Sequence, residues 1–156
     1  MKQLREILQQ KNLKISVAES CTGGNLSALL TAENGASNYF ERGFITYSNQ
    51  AKIDMLGVNP ATLKAFGAVS EQVAMEMVGG VIKHSNSSVG VAITGIAGPT
   101  GGSKHKPIGT VCFGFCVLGE CFTVTKHFNG SRRKVIQSSI EFTISKLVKQ
   151  LSNNKL

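Results

Sequence analysis

Val17-Ala18-Glu19-Ser20-Cys21-Thr22-Gly23-Gly24 is the stretch on which the reading of the whole chain depends. The apolar run Ile15 to Ala18 stops at small polar residues and two glycines. Asn25-Leu26-Ser27-Ala28-Leu29-Leu30 then follows with helical spacing. That order reads as strand, tight turn and helix. In an α/β protein such a turn exposes a side chain at the strand's carboxyl end, beside helix N-terminal amides. Ser20 holds that position. Its hydroxyl is a candidate nucleophile, and the nearby amides are candidates to stabilise an oxyanion or bind a phosphate. The competing reading is structural: Ser and Thr cap the helix, and Gly only permits the turn.

Outward from this stretch, strands and helices alternate. Leu4, Ile7 and Leu8 predict an amphipathic helix over 2–11, ahead of a first strand over 14–18. A helix over 24–32 and a turn over 33–37 lead to a second strand over 43–47. Ser48 or Asn49 then caps a helix over 50–56, closed by Gly57. Asn59-Pro60 opens a short helix through Phe66. Ser70 starts a longer one to about Lys83, with Val73, Met77, Val78, Val81 and Ile82 as its apolar stripe. Met75 and Met77 read as core or near-core packing. Residues 88–93 form a short buried strand. Residues 108–118 and 121–128 read as two more, with a hairpin signal at Gly119-Glu120. Ser131 caps a last helix over 132–151. The pattern predicts one α/β domain, a three-layer α/β/α arrangement with a mixed sheet.

The composition narrows the function classes. With 156 residues, 42% of them hydrophobic, the chain is long enough for one domain with a proper core. No apolar run reaches the ~18 residues of a membrane span, and Met1 to Glu6 lacks the apolar core of a signal peptide. These features point to a cytoplasmic protein that does not engage a membrane. Cys21, Cys112, Cys116 and Cys121 form no Cys-x-x-Cys pair, and His84, His105 and His127 are scattered. Neither set has metal-ligand spacing, so no metal is expected. Cys112 and Cys116 read as small hydrophobes in an apolar strand. The formal charge of +8 draws on Lys126, Arg132, Arg133 and Lys134, and on Lys146, Lys149 and Lys155. These residues do not interleave with aromatics. They read as a solvated basic face, and nucleic-acid binding is disfavoured.

Two later segments can join Ser20 at the sheet's rim. Tyr47-Ser48-Asn49-Gln50-Ala51-Lys52 puts a phenol at a strand end and an amine in the first turns of a helix. The helix dipole and burial both favour a neutral amine there, and a neutral Lys52 can take a proton from Ser20. The plain alternatives are a surface lysine and a half-buried strand aromatic. The segment from Thr94 to Gly102 carries four glycines between Gly95 and Gly102, which suits close approach of backbone to a ligand. It lacks both the P-loop ending and the Gly-x-Gly-x-x-Gly pattern, so an ATPase or dinucleotide site is disfavoured.

Taken together, Ala18-Glu19-Ser20-Cys21-Thr22-Gly23-Gly24, Thr46-Tyr47-Ser48-Asn49 with Lys52, Gly67-Ala68-Val69-Ser70, Thr94-Gly95-Ile96-Ala97-Gly98-Pro99 and Lys106-Pro107-Ile108-Gly109-Thr110 resemble the CinA C-terminal domain family. The resemblance covers about residues 4–150. It implies an α/β/α domain and a nicotinamide-nucleotide amidase that hydrolyses nicotinamide mononucleotide to nicotinate mononucleotide and ammonia, in pyridine nucleotide recycling. The family's catalytic Ser, Tyr and Lys fall on Ser20, Tyr47 and Lys52. The resemblance also implies substrate contacts at Cys21, Thr22, Gly23, Gly24, Asn49, Thr94, Gly95, Ala97, Gly98, Gly101 and Gly102. It implies no cofactor, the stand-alone form without the N-terminal nucleotide-binding domain, and self-association as a homo-oligomer such as a dimer. Thr100 departs from the family's usual Asp, and Asn34 from its usual Pro. Two readings of other classes compete: a nucleotide-binding regulatory module that has lost catalysis, and a DNA-associated accessory protein suggested by the charge.

Overall fold

Glu19 and Ile45 end their strands side by side, and this register sets the architecture. The computed structural model describes residues 1–153; of the basic residues named above, Lys155 lies outside them. Five strands form one sheet: β1 (Ile15–Glu19), β2 (Phe40–Ile45), β3 (Val89–Gly95), β4 (Thr110–Val117) and β5 (Glu120–His127), in the order β2-β1-β3-β4-β5. β1 runs parallel to both β2 and β3, whereas β3–β4 and β4–β5 are antiparallel. The sheet is therefore mixed, as the sequence predicts.

Among the described residues, six α-helices cover both faces. They are α1 (Lys2–Gln10), α2 (Asn25–Thr31), α3 (Asn49–Leu56), α4 (Pro60–Phe66), α5 (Glu71–Lys83) and α6 (Arg132–Asn153). Side chains alternate across β1, so Ile15 and Val17 point to one layer and Ala18 to the other. The first layer joins them to Leu4 and Leu8 of α1, Leu26 and Leu30 of α2, and Val135 and Leu147 of α6. The second packs Ala18 and Ala92 against Leu56, Leu63 and the α5 stripe Val73, Met77, Val78 and Val81. α5 lies very close to the sheet at β4. A Cβ on Gly114 would sit 2.3 Å from the Ala74 carbonyl oxygen, so only glycine allows that approach.

The predicted caps form. Ser48, Asn59 and Ser70 accept from the amides of Ala51, Ala61 and Val73, and Ser131 accepts from Lys134 N at 3.3 Å. Other details differ. The second strand spans Phe40–Ile45 rather than 43–47, so Tyr47 lies beyond it and is 60% exposed. Met77 is buried, but Met75 is exposed, on the solvent side of α5. The hairpin turn is Leu118-Gly119, one residue earlier than the sequence suggests, with both residues at positive φ, the combination a type I′ turn requires. That register sets Cys116 opposite Cys121, and the two form a disulfide rather than leaving Cys116 a free small hydrophobe.

This topology decides what gathers at one rim. The three parallel strands β2, β1 and β3 end there. β4 is antiparallel and starts there, and β5 returns there, with Thr110 opposite His127. The N-terminus of α6 is thus delivered to the same rim as Ser20.

Candidate active site

The turn after β1 is held from beneath. Glu19 is fully buried, and its carboxylate accepts from the amides of Gly24 (3.2 Å), Leu26 (3.0 Å) and Ser27 (2.8 Å), and from Ser27 Oγ (2.8 Å). The carboxylate therefore occupies the start of α2, the place the sequence reading reserved for an oxyanion or phosphate. Gly23 N donates to Ser20 O at 3.1 Å. Gly23 and Gly24 are consequently not open donors. Their part is to carry the chain through φ values of 54° and 101°, which suit glycine. Ser20 N donates to Ile93 O, tying the turn to β3.

Lys52 rises from α3 beneath this turn and is 1% exposed. Its Nζ donates to Ser20 Oγ at 3.1 Å and to the carbonyls of Thr46 (2.9 Å), Tyr47 (3.3 Å) and Ser48 (3.4 Å). Burial holds its pKa below the ordinary lysine value, and the nearby Cys21 acts in the opposite direction. Cys21 adjoins Ser20, yet burial pushes its thiol up to about 12. Tyr47 does not reach Lys52 with its phenol. Its carbonyl does so, while its hydroxyl accepts from Arg132 Nη2 at 2.9 Å.

A cavity of about 220 Å³ opens above this pair, lined by Ser20, Cys21, Tyr47, Asn49, Lys52, Ala68, Val69, Thr94, Gly95, Ala97 and Arg132. Eight of the predicted site residues thus share one space. Thr94 Oγ1 donates to Ala68 O at 2.9 Å and fixes that wall, and Gly98 enters through its carbonyl, which accepts from Arg132 Nη1 at 2.9 Å. Thr22 is fully buried, and its hydroxyl has no hydrogen-bond partner among the described residues. Gly101 and Gly102 do not line the cavity. They sit exposed farther along the loop, where Gly102 packs against Ile108. Thr100 is exposed in the same loop.

Sequence reasoning missed Arg132 as a site residue and placed it on a solvated face. The available signal was positional: it is the first helical residue after a strand that returns to the rim. No group of three or more His, Cys, Asp or Glu among the described residues could hold a metal ion, and no helix is long and apolar enough to cross a membrane.

Comparison with known proteins agrees with this architecture. The family model described as the CinA C-terminal domain matches residues 1–151. The chain spans about a third of the length of several curated relatives. One is a CinA-like protein of Syntrophobacter fumaroxidans, 47% identical over 150 residues that make up 96% of this chain and 35% of that one. This chain is also 42% identical to the nicotinamide-nucleotide amidohydrolase PncC of Escherichia coli K12, over 97% of this chain and 93% of that one. Among solved structures, the competence damage-inducible protein A of Klebsiella pneumoniae superposes with a TM-score of 0.95 at 31% identity, over 99% of this chain and 96% of that one. On the fold, the gathered motifs and these matches, the chain belongs to the CinA C-terminal domain family.

Proposed function

We propose that the protein is a serine amidohydrolase that cleaves the carboxamide of nicotinamide mononucleotide to give nicotinate mononucleotide and ammonia, a step in pyridine nucleotide recycling. The observation that carries this reading is the buried Lys52 amine, 3.1 Å from the Ser20 hydroxyl. The name borne by the Escherichia coli relative points to the same bond.

The geometry supports a Ser-Lys mechanism. A neutral amine has two N–H groups and one lone pair. In that form the carbonyls of Thr46, Tyr47 and Ser48 share the two N–H groups, and the lone pair is left to accept from the Ser20 hydroxyl, the reverse of the bond made by the ammonium form. Burial favours that neutral form. Ser20 Oγ attacks the carboxamide carbon as its proton passes to Lys52 Nζ. The Lys52 ammonium then returns the proton to the amide nitrogen, the C–N bond breaks and ammonia leaves. Water attacks the remaining ester, giving a proton to Lys52, and the acid departs as Lys52 passes that proton to Ser20 Oγ. The hydrogen bonds of the turn engage Gly23, Gly24, Leu26 and Ser27. The amides of Cys21 and Thr22 are therefore the candidates for the developing oxyanion. Tyr47 is a positioning residue here. Its carbonyl orients Lys52, and its phenol holds Arg132, which sets positive charge at the mouth for an anionic substrate.

The test is ammonia release from nicotinamide mononucleotide, with nicotinate mononucleotide identified as the co-product. Stoichiometric formation of both, abolished in Ser20→Ala, is expected. No ammonia from the wild-type protein would refute the proposal.

A further inference from the structure

The Ser20 cavity is small for a nucleotide. Ligand sites usually run to about 300–1,000 Å³, against about 220 Å³ here. On that scale the cavity is short of a whole nucleotide, and part of one would lie beyond its mouth. Two larger cavities adjoin it, each sharing one wall residue. Val69 leads to a space of about 580 Å³ under the loop before β4. Arg132 leads to a groove of about 540 Å³ between α2 and α6.

The charges distinguish the two exits. In the Val69 direction, Lys106 Nζ is already given to Phe66 O at 2.5 Å. That space also contains the Glu71 carboxylate, held by Thr123 and Thr125. An anion there would meet an engaged cation and a fixed negative charge. In the Arg132 direction the next lining residue is Arg133. Its guanidinium has no hydrogen bond or ion pair among the described residues. Lys134 follows in the same turn, and that turn holds no acidic residue. The groove's one carboxylate, Glu141, is two turns farther along α6.

We infer that the substrate's phosphate leaves the Ser20 cavity past Arg132 and is bound in the α2–α6 groove by Arg133. This takes its substrate class from the amidase reading. Gly101 and Gly102 of the glycine-rich loop, by contrast, do not line the Ser20 cavity. Arg133 then separates a nucleotide from its dephosphorylated nucleoside, while Ser20 and Lys52 act on the carboxamide common to both. A guanidinium suits this task, since it stays charged and pairs with phosphate through two parallel N–H bonds.

Binding decides the matter without requiring turnover. Calorimetric titration of Ser20→Ala protein with nicotinamide mononucleotide and with nicotinamide riboside gives two dissociation constants. The mononucleotide should bind roughly ten- to a hundredfold more tightly, the range for charge-assisted hydrogen bonds. Adding Arg133→Ala should erase most of that difference and leave riboside binding unchanged. Arg133→Lys should restore part of it. A difference that survives Arg133→Ala, or one lost with Lys106→Ala instead, overturns the assignment, as does equal affinity for the two ligands. Ammonia release by the wild-type protein is scored separately. Phosphate-dependent binding through Arg133 without any ammonia would defeat the amidase reading and spare this one.

Discussion

Arg132 donates through Nη2 to Tyr47 Oη at 2.9 Å, joining residues 85 apart in sequence, while its Nη1 donates to Gly98 O at the same distance. One guanidinium thus ties the loops after β2 and β3 to the start of α6. If the phenol serves only to hold Arg132, Tyr47→Phe should raise KM for the mononucleotide several-fold and change kcat by less than about threefold. A proton relay through Tyr47 predicts instead a kcat loss on the order of 10²-fold or more with KM nearly unchanged. Steady-state kinetics separates the two.

Glu19 should matter to stability as much as to activity. Its carboxylate takes four hydrogen bonds at the start of α2, and Glu19→Gln would turn an amide N–H toward donors. A loss of about 2–3 kcal/mol is expected, because buried donors are left unpaired. Urea unfolding should show a lower midpoint at an unchanged m value.

Cys21 is a poor nucleophile in this setting. With burial pushing its thiol up to about 12, it stays protonated at neutral pH. Cys21→Ala should keep kcat within a few-fold of wild type, and the native protein should react slowly with iodoacetamide. Rapid alkylation accompanied by inactivation, or a dead Cys21→Ala alongside an active Ser20→Ala, would transfer the nucleophile's role to the thiol.

The features that depend on local chemistry were legible in the sequence. The strand-turn-helix at Ser20 follows from an apolar run meeting small residues and glycines. Ser48, Asn59, Ser70 and Ser131 mark helix starts because each can accept from an amide two or three residues on. The edges of β2 were not legible. It is an edge strand with charged Glu41 and Arg42 on it, so it lacks the continuous apolar run of β1 and β3. Arg132 was hidden for a different reason. Its partners are a carbonyl and a phenol brought near only by the return of β5, and no spacing rule encodes that. The Cys116–Cys121 bridge was within reach: placing the turn at Leu118-Gly119 sets those residues opposite each other.

Protonation of Lys52 links activity and stability to pH. The folded pKa lies below 10.5, its ordinary value. Between those two values the unfolded chain binds more protons than the folded one, so stability rises with pH across that window. Below it, the full cost of burying the amine is present. Lys52→Met should therefore flatten the dependence of unfolding free energy on alkaline pH. Activity should rise with pH through the depressed pKa, as the neutral amine accumulates. A kcat/KM profile falling across that range would contradict a base role.

The most direct measurement is kcat for ammonia release in Lys52→Arg, set beside Lys52→Ala, after unfolding curves confirm that both variants are folded. Arginine keeps the positive charge but cannot give up a proton in the working range. If Lys52 is the base for Ser20, both variants should lose on the order of 10²–10⁴ in kcat. A Lys52→Arg enzyme with near-normal kcat and a raised KM would contradict the Ser20–Lys52 mechanism and make Lys52 a substrate-binding residue.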